Sequence, residues 1–542
     1  MTAPSPAGFS DRAVARSTLA MTLLTAASRA TGLVRLLVMA AVLGTTFLGN
    51  TYESANTVPN LLFEIFAAGV LQAVLVPVLV ASLDAGRRSE AERVAGSVLG
   101  LATAGLGLVA LAGMVFAEQL MGLLVSGVDD PDTRAQQVRV GALFLRVFLP
   151  QVILYVAGLV ATSILNAHGR FALPVFAPVM NNVVVTATYL VFHAMRGGLA
   201  PSLDLRPAEQ VVLAGGTTLG VILFCAVPVV GAMRLGFSLR PRLDYRDPRV
   251  RALGRRGAWA ALYLAMTQVL LIVLLVLANR VEGGVVAYRV AFTFFLLPHA
   301  LFAIPVFTAL FPRMAREAQT GSWDAYSRSM TQGLRVIALL VLPASATFIA
   351  AAGPITEVTL YGASAGAGTA QVARALVGFA PGLVGYGGFL LATRAFYAAG
   401  DTRSPALVNV GLVAVSGVAM IGVAEATAPR YMVAALGIVH SVSYIAGTAA
   451  LLALLRRRVP FRTGGGFGRT ALTALVGAVA ASLMISGVER MIAGALTGGG
   501  RPGALLALIV AVAAGAVLYI GIQRVAGIRA SAFLDLVRPG RS

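Results

Sequence analysis

The sequence predicts an all-α polytopic membrane protein, and three observations carry the prediction. The 542 residues are 58% hydrophobic and only 12% charged, with a mean hydropathy of +0.85. A soluble chain of this size would carry about 25% charged residues. Apolar runs of about 20 residues, each long enough to cross a bilayer as a helix, recur along the whole length. The loops between these runs are short, and their arginines alternate from one side to the other, as the positive-inside rule requires.

Taken in order, the apolar stretches are 19–45, 55–83, 94–117, 138–165, 171–194, 210–234, 257–281, 285–312, 331–352, 371–398, 405–424, 431–455, 470–493 and 503–523. That makes 14 helices. With the N-terminus in the cytoplasm, the inner loops take Arg87, Arg88 and Arg93. They also take the cluster of Arg234, Arg240, Arg242, Arg246, Arg249, Arg251, Arg255 and Arg256. Further on come Arg313, Arg316 and Arg328, then Arg456, Arg457, Arg458 and Arg462, and the tail adds Arg524, Arg529, Arg538 and Arg541. Outer loops carry few arginines, and one is acidic, with Asp129, Asp130 and Asp132. Both termini are therefore expected in the cytoplasm, in a multi-pass protein of the plasma membrane. The polar start, with Arg12 and Arg16, precedes no Ala-x-Ala site, so no cleaved signal peptide is expected.

The formal net charge is +20, and every basic residue is arginine. Nucleic-acid binding is not the expected reason, because the charges follow the loops of a membrane topology. The single Cys225 excludes an intrachain disulfide and a cysteine metal cluster. His168, His193, His299 and His440 are scattered without metal-ligand spacing. Gly464-Gly465-Gly466 leads into no Gly-Lys-Ser/Thr, so it reads as loop rather than P-loop. No enzyme, no cofactor and no metal site is expected.

The chain repeats itself. At a spacing of 231, Phe148, Pro150, Tyr155, Leu159, Ala161, Thr162, Ala167, Gly169 and Pro174 match Phe379, Pro381, Tyr386, Leu390, Ala392, Thr393, Ala398, Gly400 and Pro405. At a spacing of 236, Tyr52, Ala55, Thr57, Leu61, Phe66, Ala67, Val70 and Ala73 match Tyr288, Ala291, Thr293, Leu297, Phe302, Ala303, Val306 and Ala309. Stretches 2 and 4 thus resemble stretches 8 and 10. Six stretches separate the copies, so they run the same way through the membrane, a parallel repeat of a kind seen in transporters. The expected layout is a cytoplasmic segment 1–18, an N-lobe 19–236, a basic linker 237–256, a C-lobe 257–456, two appended helices in 457–523 and a cytoplasmic tail 524–542. The two six-helix lobes would be related by a pseudo-two-fold axis along the membrane normal.

Two arginines stand inside the first apolar stretch. Arg29 and Arg35 lie in Ser28-Arg29-Ala30-Thr31-Gly32-Leu33-Val34-Arg35. A charge inside a membrane helix costs roughly 2.5–3.5 kcal/mol on insertion scales, and such residues face a water-filled cavity or a charged ligand. Glu64 and Asn60 in the second stretch, Arg289 in the eighth and Arg394 in the tenth complete the candidate substrate-binding set. A guanidinium offers a planar fork suited to phosphate. Glu64 would neutralise an arginine in the empty cavity and be displaced by ligand. Structural alternatives stand beside this reading. Arg146, Arg289 and Arg394 lie within snorkelling reach of an interface, and Arg29 would pair with Glu64 merely to join two helices. Pro59, Pro150, Pro298, Pro305 and Pro381 fall inside spans, where proline removes a helix hydrogen bond and permits bending.

These residues resemble the MurJ/MviN lipid II flippases of the multidrug/oligosaccharidyl-lipid/polysaccharide exporter superfamily. The likeness rests on Ser28-Arg29 to Arg35, Gly44, Ala55-Asn56-Thr57-Val58-Pro59-Asn60-Leu61-Leu62, Gly69 and Val76-Pro77. It continues through Ile164-Leu165-Asn166-Ala167-His168-Gly169-Arg170-Phe171-Ala172-Leu173-Pro174 and Phe176-Ala177-Pro178. In the second half it takes in Gly353-Pro354, Leu360-Tyr361-Gly362 and Phe396-Tyr397-Ala398-Ala399-Gly400-Asp401-Thr402-Arg403-Ser404-Pro405. The resemblance implies movement of undecaprenyl-diphosphate-linked disaccharide pentapeptide (lipid II) from the inner to the outer leaflet by alternating access. It implies lipid II, membrane lipids and cell-wall synthesis proteins as partners, in peptidoglycan biosynthesis and the maintenance of cell shape.

Departures from the family pattern are specific. Arginines that often follow the Pro-Asn-Leu-Leu segment are replaced by Phe63 and Glu64. A frequent cavity arginine in span 8 aligns with Thr293, with Arg289 one turn earlier, and an acidic residue common near the start of span 2 aligns with Asn50. With Glu64 and the arginine-only basic composition, the chain is similar to the actinobacterial branch. Two other functions compete: export of another lipid-linked sugar or of a drug, and a non-transporting cell-wall scaffold. A drug exporter calls for cavity acids rather than arginines, and a scaffold predicts that the cavity charges are dispensable.

Overall fold

The structure is a computed structural model. It describes residues 11–65, 70–244, 248–459, 466–495 and 500–528, and the side chains of these apart from 11–20, 70–74 and 248–261. Several sequence features have side chains outside that description. They are Arg12, Arg16, Arg246, Arg249, Arg251, Arg255, Arg256, Arg462, Arg529, Arg538 and Arg541, the repeat positions Phe66, Ala67, Val70 and Ala73, and Gly69, Gly464 and Gly465.

Among the described residues the regular structure is helical. The first half holds α1 (Asp11–Leu43), α2 (Phe47–Phe63), α3 (Val70–Asp84), α4 (Arg88–Val115), α5 (Ala117–Leu124), α6 (Pro131–Phe148), α7 (Gln151–Ala167), α8 (Ala172–Arg196) and α9 (Pro207–Arg234). The second holds α10 (Pro248–Ala278), α11 (Gly284–Pro298), α12 (Ile304–Gln319), α13 (Trp323–Thr359), α14 (Ala367–Phe379) and α15 (Gly382–Ala398). It ends with α16 (Arg403–Ala426), α17 (Met432–Arg458), α18 (Phe467–Ala495) and α19 (Gly500–Val525). Each of the 14 apolar stretches coincides with one helix or two consecutive ones. Among the described residues 11 segments are long and apolar enough to span a membrane, or 12 with the bent pair α14–α15, and Leu75–Asp84 and Leu262–Ala278 are shorter apolar helices. Leu108, Val415, Leu483 and Val517 are among the large apolar side chains left on the surface, as a lipid-facing exterior requires. The chain is a multi-span membrane protein.

Two elements depart from the expected boundaries. The second helix begins at Phe47 rather than near 55. Its first turns hold the polar Asn50, Thr51 and Ser54, which an apolar count rejects but which are fully buried. The Thr51 hydroxyl accepts from Gln137 Nε2 at 3.1 Å, so the burial leaves that group satisfied. The short α5 lies between the third and fourth apolar stretches. Beyond it, Asp130 accepts from the Thr133 amide at 2.9 Å and from the Thr133 hydroxyl, capping α6. Those two bonds hold the Asp130 carboxyl below its usual range.

The chain divides into two units. The first comprises Met1–Leu43, Thr51–Leu123 and Ala135–Leu264. Within it α1 packs on α8, α8 on α9, and α7 on both α9 and the α3–α4 pair. Leu75, Leu79, Val94, Val98, Val152, Val156, Val160 and Ile164 form an apolar cluster within it. The second unit comprises Gly44–Asn50, Leu124–Arg134 and Ala265–Ser542. There Asn50 clasps a turn, donating from Nδ2 to the Val281 carbonyl and accepting from the Val285 amide, each at 2.9 Å. Appended helices α18 and α19 pack on each other and on α13 through Ala346, Ala478, Ala481 and Tyr519.

The sequence repeat has a local structural counterpart. Helices α6 and α14 both stop just before a proline, and α7 and α15 both start just after it. The pair α14–α15 is bent by 48° there. After α7 the Arg170 amide donates to Leu165 O at 2.8 Å, and after α15 the Asp401 amide donates to Phe396 O at 2.9 Å. Between them Gly169 and Gly400 adopt φ of 69° and 80°, the left-handed conformation that closes a helix C-terminus and that a Cβ disfavours. The two turns are therefore the same turn at a spacing of 231.

Candidate functional site

Arg29 is exposed on α1, while Arg35 is half-buried. Six residues at 3.6 per turn place the two about 120° apart around the helix, so they do not share a face. Arg35 lies in the electrostatic reach of three buried tyrosine hydroxyls, those of Tyr52, Tyr155 and Tyr189. Neither arginine forms a salt bridge or side-chain hydrogen bond among the described residues, and Glu64 forms none either. The expected alternative of an Arg29–Glu64 pair is therefore not formed. Arg35 thus sits in an apolar helix with no carboxylate partner among the described residues.

The wall near Arg35 is a hydroxyl chain set in aromatic rings. Thr217 donates to Leu213 O at 2.7 Å, which uses its hydrogen. Tyr52 therefore donates to Thr217 at 2.6 Å, and Tyr189 donates to Tyr52 at 3.0 Å. Phe144 and Phe148 meet the Tyr52 ring edge-on at 5.8 and 5.9 Å. Edge-to-face packing of this kind fixes ring orientation as well as burying area. The hydroxyl chain thereby ties α2, α8 and α9 together, and α8 in turn packs on α1.

Asn60 lies on α2 one residue past Pro59, and its Nδ2 donates to Asn56 O at 2.8 Å. Just after α2 the backbone opens into a wide π-type turn at Glu64 and Ile65, leaving Glu64 exposed. A matching π-turn covers His299–Ala303 in the second unit, at the repeat spacing. Such turns often mark functional positions in helices.

The second unit holds the other two candidates. Arg289 is exposed on α11 beside the buried Tyr288. Arg394 is exposed on α15 with its guanidinium 5.8 and 5.9 Å from the Phe307 and Phe311 ring centres, a cation–π stack on α12. Arg146, weighed as an interface residue, bridges to Glu118 on α5 at 2.9 Å. Among the described residues no three His, Cys, Asp or Glu side chains are grouped to hold a metal.

Some of this setting escaped sequence reasoning. Tyr52 and Tyr189 look like ordinary core aromatics. Asn182, which touches α1, was visible only as a polar residue in an apolar run. The buried Arg196, held by Glu209 at 3.4 Å, also gave no signal, because it falls at a helix end where arginine is routine.

Residues 39–510 match the family described as "Lipid II flippase MurJ". The chain belongs to the MurJ family. The lipid II flippase MurJ of Burkholderia cenocepacia is 25% identical over 407 residues, covering 74% of this chain and 76% of that one. Probable lipid II flippases MurJ of Haemophilus influenzae and of Synechocystis are 26% and 27% identical, covering 73% and 75% of this chain and 77% and 75% of their own lengths. Among solved structures, a lipid II flippase MurJ in an inward closed conformation superposes with a TM-score of 0.74 at 16% identity, covering 96% of this chain and 99% of that one. An inward-facing multidrug resistance MATE family transporter of the MOP superfamily gives 0.64 at 15% identity, covering 79% of this chain and 94% of that one. Those structural likenesses show the fold.

Proposed function

We propose that this chain is a lipid II flippase that moves undecaprenyl-diphosphate-linked disaccharide pentapeptide from the inner to the outer leaflet by alternating access. The observation that carries the reading is the match to the MurJ family over residues 39–510. Arg35, half-buried and without a salt bridge among the described residues, supports it chemically. A diphosphate presents several anionic oxygens, and charge-assisted bonds from a guanidinium strengthen away from bulk water. Arg35 is the first binding residue, with Arg29 meeting the same head group from a different side of α1. Glu64 opposes an anion and supports the empty state. Arg289 and Arg394 serve as secondary contacts, and the prenyl tail stays in lipid.

The proposed setting is the plasma membrane with both termini in the cytoplasm, which puts the arginine-rich loops inside. Stretches 1–6 and 7–12 form the two lobes. The test is complementation in a bacterium depleted of its own flippase, scoring lipid II in the inner leaflet. Restored growth with cleared inner-leaflet lipid II is expected. Persistent accumulation despite normal protein level would overturn the function.

A further inference from the structure

We propose that Asn182 is a positioning residue: it sets the rotation of α1 and hence the direction in which Arg35 presents its guanidinium to an anionic lipid head group. The proposal rests on the reading of Arg35 as a ligand-binding residue.

Asn182 lies on α8 and is only 6% exposed. Its Nδ2 donates to Thr31 Oγ1 at 3.1 Å and to Ser28 O at 3.3 Å. Thr31 in turn donates to Ala27 O at 2.8 Å, so the amide, the hydroxyl and the α1 backbone form one chain of hydrogen bonds. Gly32 faces the same amide: a Cβ there would sit 3.5 Å from Asn182 Nδ2, in ordinary van der Waals contact. Thr31 precedes Arg35 by four residues, about one turn, and so shares its face. On α8, Tyr189 follows Asn182 by seven residues, about two turns, on the face that meets α1. The clasp thus lies one turn from Arg35 on the face of α1 that meets α8.

Rotation needs a specific lock here. Most of the outer face of α1 is apolar or small, and apolar packing is non-directional. A helix slipping by one residue would turn every side chain by about 100°. Hydrogen bonds in a low-dielectric interior resist that slip, because breaking them strands buried polar groups.

The second half repeats the device. Asn409 on α16 donates from Nδ2 to Thr267 Oγ1 on α10 at 3.3 Å. Thr267 stands 236 residues after Thr31, the spacing that relates Tyr52 to Tyr288. At the same spacing from Arg35 the second half has Leu271. The two asparagines are 227 residues apart, one turn short of the repeat spacing, so the second half holds its own Asn–Thr clasp on the matching threonine, with Leu271 where the first half has a charge.

The experiment uses full-length protein with Cys225→Ala, which removes the single native thiol. With Arg35→Cys added, the rate of labelling by a charged methanethiosulfonate reports how position 35 is presented. Asn182→Ala and Thr31→Val should each change that rate several-fold at unchanged melting temperature. In the Arg35-containing protein, binding of purified lipid II is measured for both single variants and the double. Each single change should raise the half-saturating concentration by about five- to tenfold, and the double should be no worse than the weaker single, since both break one chain of bonds. Unchanged labelling, or additive losses in the double variant, would overturn the proposal. If Asn182→Ala misfolds, Thr31→Val, which is near-isosteric, decides alone. Unchanged lipid II binding by Arg35→Ala would instead sink the binding role of Arg35, while the labelling rates would still judge the clasp.

Discussion

Tyr52 meets Phe148 edge-on, with ring centres 5.9 Å apart. Their repeat partners Tyr288 and Phe379 meet at 5.8 Å, with the rings tilted at 47°. One contact between the second and fourth spans has thus been kept in both halves while its surroundings diverged. Around Tyr52 the neighbours are the Thr217 and Tyr189 hydroxyls and the Phe144 ring. Around Tyr288 they are Phe292 and, one layer on, the buried His440. The contact is duplicated, while the position of Arg35 in the first copy is taken by Leu271 in the second.

Replacing Arg35 with Ala should abolish lipid II export at normal protein level, measured by complementation of a flippase-depleted strain. Lys should restore only part of it, because an ammonium keeps the charge and loses the planar fork. Full activity of Arg35→Ala would move the binding role to Arg29, Arg289 and Arg394.

Glu64→Gln should tighten lipid II binding several-fold. The exposed carboxylate repels an anionic ligand, and the amide removes that repulsion without changing size. Equilibrium binding at low and high salt separates the outcomes, since an exposed electrostatic effect should shrink as salt screens it. Weaker binding by the Gln variant would mean that Glu64 contacts the ligand directly.

Gly169→Ala and Gly400→Ala should destabilise the protein by similar amounts, about 1–2 kcal/mol each. Both residues have positive φ, and a Cβ at either would meet nothing within 4 Å, so backbone strain is the whole cost. Chemical unfolding in detergent checks this. A large difference between the two would deny that the turns are equivalent.

Asp401, in the turn before α16, titrates against the fold. Burial pushes its carboxyl upward, but bonds from the Ser404 hydroxyl and amide, with Arg458 alongside, outweigh it and hold the group below its usual range. A depressed carboxyl stabilises the folded state above its unfolded value of about 3.9 and loses that contribution as pH falls through the folded value. Stability of the wild type should therefore drop more steeply below about pH 4 than that of Asp401→Asn. Parallel pH profiles for the two would remove the turn from acid sensitivity.

Reporter fusions after Arg251 and after Arg457 should read cytoplasm, and one after Asp130 should read the outside, as the arginine asymmetry requires. An outside signal at Arg251 would invert the proposed topology.

The sequence by itself determined that the chain is a bundle of apolar helices and that two segments are repeated. It also singled out Arg35, because a charge in an apolar run is visible without any partner. Those features are local: hydropathy, Pro and Gly act on the residues that carry them. The tertiary structure alone decided which way each helix faces. A helix apolar on most sides has no preferred face, so nothing in α1 announces that Thr31 meets Asn182, more than 150 positions away. The same holds for the Tyr189–Tyr52–Thr217 chain, the stacking of Arg394 on Phe307, and the absence of an Arg29–Glu64 pair. Each depends on the rotation of one helix against another, and directional hydrogen bonds and ring contacts set that rotation only once the helices are packed.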